Sequence, residues 1–269
     1  KRLGNPDRDS LVSPLIRKGQ PLAHILAHHA EEIPCGERTL YKYISAGYLT
    51  ARNLDMRRTV RYRKRVEAFQ LQKSAIVNSD YLDFIAKNEG IRVVQMDTVE
   101  GNKSGKLLHT LLWPENNLML AFLIETKEMK NTVATFDWLE ETLGSEMFRV
   151  LTDNGDVVAD PELFEKGHDG KKRTRLFYCE SRHSEQKGEL EKNHEYIRYV
   201  LPKGSSFDGL NQEQVLRMVN HINNTTRPKL HGSTPMKKAL KSFDKNAMEK
   251  LGLEIIPPDE ICLKPELLK

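Results

Sequence analysis

Residues 91–124 read IRVVQMDTVEGNKSGKLLHTLLWPENNLMLAFLI. Three apolar runs stand in this stretch, Ile91–Met96, Lys106–Trp113 and Leu118–Ile124, and each reads as a short strand. The turn residues Pro114-Glu115-Asn116-Asn117 precede the third, and the spacing predicts an antiparallel meander. Downstream, TVATFDWLEETL (132–143) is an amphipathic helix with Val133, Phe136, Leu139 and Leu143 on one face. Phe148–Thr152 reads as a fourth strand and Arg175–Cys179 as a fifth, with a short helix around Pro161–Lys166 between them. A long helix follows from about Glu185 to Leu201.

The order is therefore β-β-β-α-β-α-β-α. It predicts an α/β domain with a ribonuclease H-like arrangement, in which two further strands join a three-strand antiparallel meander through helical crossovers and helices flank the sheet.

Upstream, residues 8–50 read as compact and helical. Asp9 or Ser10 caps a first helix at 11–18, and Gln20-Pro21 opens a second, with Leu22, Ile25, Leu26 and Ala30 on one face. Pro34-Cys35-Gly36 is a break, and Glu37–Ser45 a third helix with Leu40 and Ile44 four apart, stopped by Gly47. Two helices joined by a short turn, the second carrying Arg38, Thr39 and Lys42 on its polar side, suit an all-α helix-turn-helix domain. Small helical bundles with no DNA role share the pattern, so the segment that follows matters.

That segment holds the charge. The chain has 42 basic and 38 acidic residues, a net of +4. This near-balance excludes a histone-like polybasic protein and an acidic disordered chain. Residues 52–65, RNLDMRRTVRYRKR, carry seven Arg or Lys against one Asp, a net of +6, which leaves −2 for the rest. Arg57, Arg58, Arg61, Arg63, Lys64 and Arg65 are interleaved with Val60 and Tyr62. Arginine forks match phosphate oxygens, so the segment reads as a linker tracking a nucleic-acid backbone. Residues 66–89 read as one or two bridging helices. No run approaches 18 apolar residues, so no membrane span is expected. Cys35, Cys179 and Cys262 form no C-x-x-C pair, which argues against a disulfide framework or a structural zinc site; a reducing cytoplasm is the expected compartment. The expected division is a helix-turn-helix domain at 1–50, basic linker and bridging helices at 51–89, a catalytic domain at 90–236 and a tail at 237–269.

Three carboxylates punctuate this pattern. Asp97 closes the first strand (VVQMD), Asp153 closes the fourth (VLTDNG), and Glu191 lies in the helix after the fifth (QKGELEKNH). Each also has a plain reading. Asp153-Asn154-Gly155 is a good turn, and Glu191 shares its helix with Glu185, Glu189 and Glu195. Asp97 is harder to dismiss, because Val93, Val94 and Met96 make its strand apolar. In a ribonuclease H-like fold the first and fourth strands are neighbours and the helix packs near their ends, so the three converge. Carboxylates that close repel unless a cation lies between them. Magnesium takes oxygen ligands and leaves positions open for phosphate. Two such ions about 4 Å apart activate the attacking oxygen and stabilise the leaving one. Asp97 is then expected to bridge two magnesium ions, with Asp153 on one and Glu191 on the other, and manganese is expected to substitute.

These motifs resemble a family. VVQMDTVEG, GKLLHTLLW, FDWLEETLG, LTDNG and EQKGELEKNHEYIRYVLPKGSSF are similar to the DDE catalytic core of bacterial insertion-sequence transposases of the IS-thirty type, and more distantly to retroviral integrases. HINNTTRPKLHGSTP resembles that family's C-terminal motif. The likeness covers residues 90–236 well and 10–65 less closely, and the tail after about 240 matches no named pattern. It implies the catalytic triad Asp97, Asp153 and Glu191, with Glu189 the competing third acid; the Q-x-G-x-x-E spacing points to Glu191. Asp156-Val157 stands where many relatives have Glu-Phe.

The resemblance implies cleavage of DNA at element ends and transfer of the freed 3′-hydroxyl into target DNA. Its partners are double-stranded DNA (terminal inverted repeats and target) and further copies of the chain, at least a dimer. Its place is the bacterial cytoplasm, at the nucleoid. Lys187 and Lys192 join the basic segment as backbone contacts. The start at Lys1-Arg2-Leu3-Gly4, without an initiator Met, reads as a fragment lacking a first, repeat-binding helix-turn-helix. A structure-directed nuclease of the same fold and a domesticated DNA-binding regulator with an inactive core remain the alternatives.

Overall fold

The structure is a computed structural model, and it describes residues 6–57, 78–102, 105–144, 149–152, 161–167, 169–178 and 188–269. Its centre is a five-stranded sheet in the order β3-β2-β1-β4-β5, formed by β1 (Val93–Glu100), β2 (Leu107–Trp113), β3 (Leu118–Ile124), β4 (Arg149–Thr152) and β5 (Leu176–Tyr178). β1, β2 and β3 pair antiparallel; β4 pairs parallel to β1 and β5 parallel to β4. This is the ribonuclease H-like α/β fold that the element order predicts.

β2 is buried at every position, which is why LLHTLLW shows no polar alternation: both faces of a central strand are covered. The turn into β3 works through its asparagines. Asn117 adopts φ 59, a left-handed conformation that asparagine tolerates, and the Asn116 side chain accepts a hydrogen bond from the Leu118 N–H at 2.9 Å.

α5 (Met129–Leu143) buries Thr132, Thr135, Phe136 and Leu139 against the sheet, and α6 (Pro161–Glu165) adds Phe164, whose ring meets Phe136 edge-on. Arg173 locks this side. Its buried guanidinium pairs with Asp137 and Glu140 of α5 and donates to the Leu163 and Phe164 carbonyls. A buried cation with such partners is costly to break, so the path from α6 to β5 is fixed.

The open edge of β3 is closed by side chains. α8 (Gln212–Asn223) starts with a capping box between Asn211 and Gln214. The Gln212 amide accepts from the Leu123 N–H and donates to the Ala121 carbonyl, while the Asn223 amide does the same for Met119. Two amides thus stand in for a neighbouring strand and block edge pairing.

The helical unit has its own core. α1 (Pro6–Arg17), α2 (Leu22–His28) and α3 (Glu37–Ser45) gather Ile16, Ile25, Leu40 and Ile44. α3 has the expected bounds, but α1 begins before residue 11. Asp9 is therefore inside the helix rather than its cap, and its carboxylate holds Ser13 and, at 2.8 Å, the Thr50 N–H. α2 stops at His28, which leaves Ala30 exposed beyond it. Of the expected bridging helices, α4 (Asn78–Lys87) is described, and residues 58–77 lie outside the described ones.

The expected boundary at 236/237 falls inside α9 (Pro235–Ala239). Beyond it, α10 (Lys245–Lys250) and the turns at Pro258–Glu260 and Pro265–Leu268 belong to the fold: Met248, Leu253, Ile261 and Leu263 are buried in the core of the sheet domain. The same segment straps the helical unit down. Leu263 N–H donates to the Lys18 carbonyl at 2.9 Å, and the Gln20 amide donates to the Pro258 and Ile261 carbonyls. Gly19 makes the approach possible, because a Cβ there would stand 2.8 Å from the Leu263 oxygen.

His24 completes the contact. Its Nδ1 accepts from the Thr226 N–H at 3.0 Å, so Nε2 carries the proton and donates to the Pro258 carbonyl at 3.2 Å. Burial pushes its pKa down to about 4, the Pro258 carbonyl and Asp259 opposing that shift and His28 and Arg227 adding to it.

Candidate active site

β1 sits between two partners: Val93–Met96 pair with Arg149–Thr152 of β4 on one side, and Gln95–Glu100 pair with Leu107–Leu112 of β2 on the other. The strand therefore does not close at Asp97, as the charge suggested, but runs three residues further. Asp97 is instead the residue that follows Met96, the parallel partner of Thr152. Asp153 follows Thr152 in the chain and lies outside the described residues. The carboxyl ends of the parallel strands in an open α/β sheet border a crevice, the usual place for a ligand.

The Asp97 side chain is 31% exposed. One of its oxygens accepts from the Thr98 N–H at 2.8 Å. Across the ladder stands Thr110, whose hydroxyl donates to the Asp97 backbone carbonyl at 3.0 Å.

α7 (Gly188–Val200) covers this point. Leu190, Asn193, Ile197 and Val200 are buried and turn one side of the helix to the core. Glu191 is exposed. His194, one turn further on, places Nδ1 4.0 Å from Asp97 Oδ2 and Nε2 2.9 Å from the Thr110 hydroxyl. Glu189 points elsewhere. It pairs with Lys229 at 2.8 Å and, at 3.7 Å, with Lys192. Burial pushes its pKa up, but the Lys229 hydrogen bond and charge, with Lys192 and the Asn117 amide, outweigh this and hold it below the usual carboxylate range. Of the two competing acids on α7, Glu191 thus lies on the side of His194 and Asp97, and Glu189 is engaged with the Pro228–Leu230 turn.

The donors suit a hard divalent cation: the partly exposed carboxylate of Asp97 within β1, with one imidazole beside it. Among the described residues, which include Asp97, Glu191 and His194, no group of three metal-binding side chains occurs; Asp153 lies outside them.

Arg38 and Lys42 are exposed on α3, and Thr39 is half-buried. Arg57 is drawn inward. Its guanidinium lies 4.9 Å and 4.4 Å from the ring centres of Tyr196 and Tyr199 on α7. Lys192 is exposed. Arg58, Arg61, Arg63, Lys64, Arg65 and Lys187 lie outside the described residues. Reasoning from sequence missed His194 and Thr110. His194 reads there as part of a solvated run, KNHE, and only its i, i+3 spacing from Glu191 carries a signal. It also missed Arg227, buried against the Tyr196 ring at 3.5 Å and donating to Asn193, which binds the Arg-Pro segment to the inner side of α7.

No protein-family model matches the chain. It is 22% identical over 206 residues to a protein named as an integrase from Spiroplasma virus SpV1-R8A2 B, covering 74% of this chain and 62% of that protein. It is 25% identical over 111 residues to the transposase for insertion sequence element IS4351 of Bacteroides fragilis, covering 41% of this chain and 33% of that one. The chain thus spans less than two thirds of each. Among solved structures it is similar to the catalytic core domain of BIV integrase, with 18% identity and a TM-score of 0.42 over 57% of this chain and 96% of that domain. Among the described residues, no helix is long and apolar enough to cross a membrane.

Proposed function

We propose that the chain is a DNA transposase or integrase of the insertion-sequence kind, of the IS-thirty type, that cuts phosphodiester bonds and joins the freed 3′-hydroxyl to target DNA. One observation carries this reading: Asp97 follows the stretch of β1 that pairs with β4 and lies beside His194 of α7, one turn from Glu191. The sequence likeness to an integrase and a transposase supports it.

Asp97, Asp153 and Glu191 would hold divalent ions, magnesium or manganese, which would supply activation of the attacking oxygen and charge neutralisation on the leaving one. The protein's part is positioning. The Thr98 N–H fixes one oxygen of Asp97, and α7 carries Glu191 one turn before His194, the residue that faces Asp97. Both steps are displacements at phosphorus, so one constellation serves cutting and joining.

DNA is the partner. Arg38, Thr39 and Lys42 read the duplex from α3, and the basic segment with Arg58, Arg61, Arg63, Lys64 and Arg65, together with Lys187 and Lys192, follows the phosphates. Arg57 anchors that segment to α7 through its tyrosines. The helices up to residue 50 form the DNA-reading unit, 51–89 the linker, and 90 onward the catalytic unit. Two DNA ends require at least two copies of the chain.

The test is nicking and strand transfer on supercoiled plasmid with magnesium or manganese. Asp97→Asn and Glu191→Gln are expected to abolish both reactions while the protein stays folded. Full activity in either variant overturns the assignment.

A further inference from the structure

The imidazole of His194 stands in the same site, outside the set of three carboxylates. Proton accounting fixes its orientation. The Thr110 hydroxyl has one proton and gives it to the Asp97 carbonyl at 3.0 Å. Toward His194 Nε2, at 2.9 Å, the same oxygen therefore accepts, and Nε2 carries a proton. In the neutral ring the lone pair then lies on Nδ1, the nitrogen 4.0 Å from Asp97 Oδ2. A histidine that donates one N–H to a fixed acceptor and turns its other nitrogen toward a carboxylate is arranged as metal ligands are. With metal–ligand bonds of about 2.1 Å, two donors of one ion lie no more than about 4.2 Å apart.

We propose that His194 is a further metal ligand, through Nδ1, on the ion held by Asp97, with Thr110 as its positioning residue. The inference rests on the reading of Asp97 as a metal-binding acid. Thr110 is wholly buried and tied to β1, so the ring has little freedom to turn away. A nitrogen in an otherwise oxygen set favours manganese and later divalent metals over magnesium. Nothing in the three-acid reading requires this preference.

The test uses the full chain loaded with Mn2+ and pulsed electron paramagnetic resonance, on unlabelled and 15N-histidine protein. The expected spectrum shows 14N modulation from a coordinated imidazole, which changes to the 15N pattern on labelling. In His194→Gln the modulation is expected to vanish while Mn2+ still binds, about tenfold or more weakly. Bound Mn2+ without nitrogen modulation, or modulation that survives in His194→Gln, overturns the proposal and leaves the carboxylate site standing. Absence of Mn2+ binding in the wild type, or binding unchanged in Asp97→Asn, overturns both.

Discussion

Glu189 and Glu191 are the same residue type two positions apart on α7, so helical geometry turns them roughly 200° from each other. Glu189 faces a closed network. It pairs with Lys229, its backbone carbonyl accepts from the Asn193 amide, and that amide also reaches Asn117, while Arg227 donates to the Asn193 oxygen. Glu191 is exposed, on the side of His194 and Asp97. α7 thus divides by face: Glu189 belongs to a hydrogen-bonded network, and Glu191 is exposed on the side of His194. A carboxylate whose charge is answered by lysine and amides is part of the scaffold. Glu191, exposed one turn before His194, stands on a different side of the helix from that lysine–amide network.

The largest effect expected from breaking this division is on the open face. Asp97→Asn or Glu191→Gln is expected to lower plasmid nicking by about 10^3-fold, since ligand loss forfeits several kcal/mol of transition-state stabilisation. Thermal melting of both variants is expected to match the wild type. Breaking the closed face does the reverse. Asn193→Ala leaves Arg227 and Asn117 short of a buried partner and is expected to cost about 2 kcal/mol, measured by urea unfolding, with Mn2+ affinity retained.

The closed face extends further, from Tyr196 through Arg227 to Thr226 and so to His24 of the helical unit. His24 has a folded pKa of about 4 against an ordinary 6.5, so the folded state binds fewer protons in between. Stability from this contact is complete above about pH 6.5, is lost as pH falls toward about 4, and changes no further below. At pH 5.5 the loss is expected to be about 1 kcal/mol. Unfolding of wild type and His24→Gln at pH 7.5 and 5.5 checks this: the variant should lose less stability on acidification. The smallest effect is at Glu189. Glu189→Gln is expected to cost less than about 1 kcal/mol, because its ion pairs are partly solvated, and to leave nicking within about threefold of wild type.

Much of the fold can be read in the sequence because its signals are local. Leu118–Ile124 and Glu37–Ser45 have the bounds their apolar spacing predicts. The element order is enough for the β3-β2-β1-β4-β5 sheet. What could not be read depends on partners distant in the chain. β1 continues past Asp97 because β2 goes on pairing with it, and a charge on the strand does not reveal that. The tail matches no pattern, yet Phe243 meets the buried Trp113 edge-on, because its apolar residues are spaced for a surface already built. His194 is silent in sequence because its meaning comes from Thr110, 84 residues earlier on another element. Asp97 was legible for the opposite reason: a charge in an apolar strand is conspicuous by itself.

The central claim is that the open face of α7 and Asp97 share a metal ion. A crystal of the chain soaked in Mn2+, with anomalous scattering recorded, tests it most directly. The account predicts a peak in contact with Asp97 and on the Glu191 and His194 side of α7, and none at Glu189. A peak at Glu189, or none near Asp97 at saturating Mn2+, contradicts it.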